Sequence, residues 1–164
     1  MRTLCLFLSI LCLSPGMAFS AERSKVVVSM TRLLEAARVS GMPPAALFGL
    51  LATEGGSMGE ALSNTNGTWD LGCFQINTVH VNELAAMGIA PETLLRDGCV
   101  NAYAAAWLLR KEYERTGDLW LAIGAYHSRT PHRRDAYIRK VRTNLEELRR
   151  RGIFSLSSLQ EAQP

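Results

Sequence analysis

The chain has 164 residues, 48% of them apolar, 20% charged and 7% aromatic. That mix builds a packed core in a chain of one-domain size and excludes wholesale disorder, a coiled-coil rod and a low-complexity polymer. The formal net charge is +3, yet nine Lys or Arg against three acids fall between Arg129 and Arg151, which suits either a solvated helix face or an acidic polymer such as cell wall, membrane surface or nucleic acid.

Residues 1–20 carry a single Arg2, an almost wholly apolar run from Leu4 to Leu13, and Ala18-Phe19-Ser20 ahead of Ala21. This is the pattern of a cleaved secretory signal. Ten residues at ~1.5 Å each are too short for ~30 Å of hydrocarbon. The mature chain is therefore expected to start at or near Ala21, with one domain over 21–151 and a tail over 152–164. Export would remove Cys5 and Cys12 and leave Cys73 and Cys99. In an oxidising compartment two cysteines read most simply as one disulfide, worth ~3–4 kcal/mol for a loop of this length. A metal site joining Cys73, His80, Cys99 and His127 is the rival, but the spacings fit no zinc signature.

Lys25 to Val39 carries Val26, Met30, Leu33, Leu34 and Ala37 at helical spacing, with Gly41 as the stop. Pro43-Pro44 opens a second helix through Leu47, Leu50 and Leu51 to Glu54, ended by Gly55-Gly56. Ser57 to Gly72 has no helical period and reads as a long polar loop, with a small hairpin near Asn66-Gly67. Helical pattern returns from Thr78 to Ala85, before Gly88. It returns again over Asp97–Thr116, the longest buried helix, with Val100, Tyr103, Ala104, Trp107 and Leu108. Asp118 caps a shorter helix through Trp120, Ile123 and Tyr126. Pro131 starts the last, with Tyr137, Val141, Leu145 and Leu148 as its apolar stripe. The expected fold is mainly α, interrupted by one polar loop.

Glu54 follows Leu47, Leu50 and Leu51 by seven, four and three residues, so it points from the apolar face of its helix. A carboxyl there is either partly desolvated, and so poised as a general acid near neutral pH, or a terminal glutamate turned to solvent. Gly55-Gly56 would leave bare backbone for a bulky substrate. Ser63, Asn64, Asn66, Asp70, Gln75 and Asn77 follow closely. Their hydroxyl and amide groups suit sugars, although loop composition explains them as well.

Together, LATEGG, SNTNGTWDLGCFQIN, DGCVNAYAAAWLLR, GDLWLAIGAYHSRTP and YIRKV resemble the soluble lytic transglycosylase domain over about residues 30 to 142. The resemblance is greatest to small exported forms that accompany conjugation, type IV secretion and pilus systems. It implies a lysozyme-like fold, a periplasmic location and cleavage of the MurNAc–GlcNAc bond of peptidoglycan. Glu54 stands at the catalytic glutamate, and Ser63 at the serine nine residues on that assists catalysis. GCFQIN in place of GLMQI puts Gln75 at the glycan-contacting glutamine, with Asn77 close by. GAYHS matches AAYN and gives Tyr126 the active-site tyrosine, while Tyr137 fits the tyrosine of ETRxYV and contacts substrate. Two positions depart from the family pattern: Gly55 replaces the serine of the ES pair, and Arg133 falls on the glutamate of ETR. The implied partners are peptidoglycan strands and components of such a machine, with no nucleic acid, metal or cofactor. The alternatives are a hydrolysing lysozyme using Asp70 or Glu60 as base, and an inactive cell-wall-binding scaffold.

Overall fold

The structure, a computed structural model, describes residues 28–153. The signal segment, the first turn expected from Lys25, and the tail beyond Ile153 lie outside the described residues. The first helix, α1 (Met30–Ser40), is capped by the Ser29 side chain, which accepts from Arg32 N, and stops at Gly41 in the left-handed region. Its buried face is Leu33, Ala36 and Ala37, while Met30 and Leu34 are exposed. The apolar stripe is thus turned from the one expected, with Ala36 on the buried face and Leu34 off it. Helix α2 (Pro44–Glu54) begins with proline in its first turn and ends at Gly55.

The polar segment holds more strand than expected. Strands β1 (Ala61–Ser63), β2 (Trp69–Leu71) and β3 (Ile76–Asn77) form an antiparallel sheet in that order. Ser63 pairs with Trp69 and Asp70 pairs with Asn77. The β1–β2 turn carries Gly67 at a φ of +82°, as the Asn-Gly dipeptide predicted. A 3-10 turn (Thr78–His80) leads into α3 (Val81–Ala85). The next helix, α4 (Pro91–Arg96), was not expected. Then come α5 (Gly98–Thr116), capped by Asp97, α6 (Leu119–His127), capped by Asp118, and α7 (Pro131–Arg150). The architecture is mainly α and lysozyme-like.

Helix α5 runs through the middle, burying Ala102, Ala105, Ala106 and Leu109 against its neighbours. Alanines on several faces let α1, α4 and α6 all approach it. Helix α7 lies across α2 and α6, and two helical glycines set its depth. A Cβ on Gly49 would stand 2.7 Å from Val141 Cγ1, and one on Gly124 would stand 2.4 Å from Arg134 Cγ. These notches in α2 and α6 admit the face of α7 that carries Tyr137. Among the described residues, no helix is long and apolar enough to cross a membrane.

Candidate active site

Glu54 is the last residue of α2, at the edge of an open cleft of about 760 Å³ between the sheet and α5–α7. Its carboxyl titrates at about 7 rather than 4.5. Burial is the largest cause. A hydrogen bond from Tyr137 opposes the rise, the Asp70 charge adds to it, and Lys140 again opposes it. Of the two readings open from spacing, the desolvated carboxyl is the one realised. Near neutral pH both protonation states are populated, the condition for a group that gives up a proton and takes one back.

Tyr137, 4% exposed, donates its hydroxyl to Glu54 Oε1 at 2.5 Å. Its ring stacks on His127 with centroids 4.7 Å apart and planes 4° from parallel. The hydroxyl is spent on the acid, so Tyr137 positions Glu54, and the residue also lines a small cavity beside His127. Tyr126 is brought to the site as well. Its ring lines the cleft, but its hydroxyl donates to Phe74 O at 3.0 Å. It ties α6 to the turn that follows β2, and proximity to Glu54 shows in a phenol raised first by burial and then by that carboxylate.

The same turn carries Gln75, which lines the cleft as expected. Gln75 is the one non-glycine residue with positive φ among the described residues, at +49°, a conformation costing ~1 kcal/mol or more. Its Nε2 donates to Gly72 O at 2.8 Å. The turn presses so closely on Gly56 that a Cβ there would stand 2.3 Å from Gly72 O and 2.4 Å from Gln75 Nε2. The bare backbone at Gly56 thus receives the protein's own turn and not a substrate. Gly55 is in the left-handed region at a φ of +61°, a conformation glycine adopts without strain.

Asn101, fully buried on α5, holds the turn from below. Its Nδ2 donates to Leu71 O at 3.0 Å and to Leu94 O at 2.9 Å, and its Oδ1 accepts from Phe74 N at 2.9 Å. Sequence reasoning passed over it. The available signal was a lone amide at i, where Ala104, Ala105 and Leu108 at i+3, i+4 and i+7 are all buried. Asn101 also explains the cysteines. The expected disulfide is not formed: Cys73 and Cys99 are both free thiols. Cys73 is buried and donates to Asn101 Oδ1 at 3.3 Å, and burial raises its pKa, so it is held as a neutral thiol. Hydrogen bonds to one amide do the pinning assigned to the bridge.

Asn77 lines the cleft and is committed to its floor. Its Nδ2 donates to Asp70 Oδ1 at 2.7 Å and to Thr68 Oγ1 at 3.0 Å, and its Oδ1 accepts from Val79 N. Ser63 is not brought to the site. It is exposed on β1, outside the cleft lining, while Asn64, Thr65 and Asn66 of the following turn line the cleft. At the far end Glu112, 8% exposed, accepts from Arg129 Nη2 at 2.5 Å and pairs with Arg115 at 2.7 Å. That pair anchors the α6–α7 connection to α5.

One desolvated acid at the end of a short helix, faced by an amide-rich sheet, is the arrangement the sequence resemblance implied, and comparison with known proteins agrees. The transglycosylase SLT domain model matches residues 33–147. Invasion protein IagB of Salmonella typhimurium is 37% identical over 90 residues, covering 52% of this chain and 56% of that protein. An X polypeptide of Escherichia coli is 40% identical over 76 residues, covering 43% and 45%. Protein IpgF of Shigella flexneri is 34% identical over 90 residues, covering 54% and 59%. The chain spans about half the length of the curated relatives it matches. Because the family model reaches from α1 through most of α7, taking in the acid, its tyrosine and the turn between them, the chain belongs to the transglycosylase SLT domain family.

Proposed function

We propose that the protein is a peptidoglycan lytic transglycosylase, cleaving the MurNAc–GlcNAc β-1,4 bond with formation of 1,6-anhydroMurNAc. The observation that carries this reading is the Glu54 carboxyl, titrating at about 7 and gripped by Tyr137 beside an open polar cleft. Protonated Glu54 donates to the bridging oxygen as the glycosidic bond breaks, and positive charge develops at C1 of MurNAc. The sugar's 2-acetamido group stabilises that charge, the part a second carboxylate plays in most glycosidases. Glu54, now a carboxylate, takes the proton from the C6 hydroxyl as its oxygen bonds to C1. No water is consumed, and the acid returns to its starting state.

Tyr137 sets the direction of the Glu54 carboxyl, and Tyr126 with Asn101 fixes the turn that presents Gln75 to the glycan. Membership of the SLT family, together with likeness to a Salmonella protein named for invasion, supports work on the periplasmic cell wall beside a secretion, conjugation or pilus machine. A hydrolytic reading has one observation in its favour: Asp70 also lines the cleft and its charge reaches Glu54.

Digestion of purified sacculi followed by mass analysis decides between them. Transglycosylation gives anhydro ends lacking one water, and hydrolysis gives reducing ends. Glu54→Gln should abolish release, by about 10⁴-fold or more because one group serves both proton steps, whereas Asp70→Asn should cost far less. Reducing ends from the wild type, or equal inactivation by Asp70→Asn, would establish the hydrolase instead.

A further inference from the structure

The cleft does not end at Glu54. Around His127 and Arg133 it continues into a smaller cavity of about 280 Å³ lined also by Ala136, Tyr137 and Lys140. Arg133, Ala136, Tyr137 and Lys140 stand at i, i+3, i+4 and i+7 on α7, so one helix face presents all four. Ala136 supplies the floor, and long cationic side chains rise on either side of it. Tyr137, sharing that face, fixes its distance from the acid.

Among the described residues neither cation is held in an ion pair, although the Lys140 charge reaches Glu54. Arg115 and Arg129 pair with Glu112, Arg134 with Asp135, Arg149 with Glu146, and Arg150 and Arg151 with Glu147. Among the described residues Arg133 and Lys140 have no ion-pair partner, although both are close enough to act on the His127 ring.

We infer that the side cavity is a carboxylate subsite, in which Arg133 and Lys140 take an anionic group carried by MurNAc beside the cleaved bond. The inference rests on the transglycosylase reading for its substrate. A glycan backbone of N-acetylated sugars is uncharged and the lactyl carboxyl of MurNAc is an amide wherever a stem is attached, so the carboxylate comes from the stem itself on stem-bearing strands and from the freed lactyl group on stripped ones. Arginine meets a carboxylate with two parallel N–H donors, and lysine adds a point charge.

The test is equilibrium binding by co-sedimentation in a Glu54→Gln background, where no turnover occurs and the acid cannot titrate. Arg133→Glu with Lys140→Glu should weaken binding to stem-bearing sacculi by about tenfold or more. Arg139→Glu, on the same helix outside both cavities, should leave it within about twofold. A loss confined to stem-bearing strands assigns a carboxylate of the stem, and a loss confined to amidase-stripped strands assigns the freed lactyl carboxylate; a loss on both shows that the pair takes either. Unchanged binding to both strands overturns the subsite, and so does equal loss on uncharged chitin strands, which would place the damage in sugar binding. A wild-type protein that releases no anhydro product would overturn the enzymatic reading and leave this binding comparison intact.

Discussion

Replacing Glu54 by glutamine should stabilise the protein, and the gain should depend on pH in a direction fixed by the structure. The folded carboxyl titrates at about 7 rather than 4.5, chiefly because burial penalises its charged form. The folded state therefore holds the proton more tightly than the unfolded state. A group raised in this way contributes its full stability below the unfolded value and loses it as pH rises through the folded one. The gap between 4.5 and about 7 corresponds to ~3 kcal/mol. Glutamine keeps the shape, can accept from Tyr137, and has no charge to desolvate. Urea unfolding followed by tryptophan fluorescence at pH 4 and pH 8 gives the comparison. Between the two, wild type should lose ~3 kcal/mol relative to Glu54→Gln. A differential below about 1 kcal/mol would mean that the carboxyl is solvated in the folded protein, and would remove the argument that it is poised as an acid.

Three other substitutions test the supports of the acid. Tyr137→Phe keeps the stack on His127 but removes the hydrogen bond that holds Glu54 down, so the alkaline limb of the pH–rate profile should move up by about one pH unit. Asn101→Ala strands Leu71 O, Leu94 O and Phe74 N in the interior. It should cost about 3 kcal/mol or more in denaturant unfolding, with glycan cleavage lost in step. Gly49→Ala drives a Cβ to 2.7 Å from Val141 Cγ1 and 3.0 Å from Leu145 Cγ. Thermal unfolding should register about 1–3 kcal/mol, and turnover should fall as α7 carries Tyr137 away from Glu54.

Much of this site was legible because its residues sit where local patterns are strong. Glu54 is announced by three leucines at helical spacing and a glycine stop. Asp118 caps α6 through Leu121 N as its position ahead of an apolar run foretold. The short elements were not legible. Pro91–Arg96 is six residues with one buried leucine, and Ile76–Asn77 is a two-residue strand, so neither is long enough to show a period. The two tyrosines were legible as residues of the site, but the groups their hydroxyls bond were not. Which hydroxyl reaches Glu54 depends on how deeply α7 settles on α2 and α6, and that is written in Gly49 and Gly124, small residues inside helices with no motif around them. The cysteines misled for a related reason: a pair in an exported chain implies a bridge, whereas the buried amide that satisfies Cys73 lies 28 positions away.

These details converge on one physical dependence. The raised pKa of Glu54 comes mainly from burial, and the surrounding atoms belong to elements far apart in the chain: Tyr137 lies 83 positions away, while the turn over Gly56 is held by Asn101 and by the Tyr126 hydroxyl. None of these contacts is a charge pair with the acid. Each acts by excluding water or by directing one hydrogen bond, so a displacement that admits water to the carboxyl lowers its pKa toward 4.5, whereas loss of the Tyr137 bond alone raises it. An acid that slips in this way is ionised at neutral pH and cannot protonate a leaving oxygen, even with every catalytic atom still present. Packing faults at Gly49, Gly56 or Asn101 should therefore resemble catalytic mutations in activity assays, and they separate from true ones by recovery at acidic pH, where a hydrated carboxyl is protonated again.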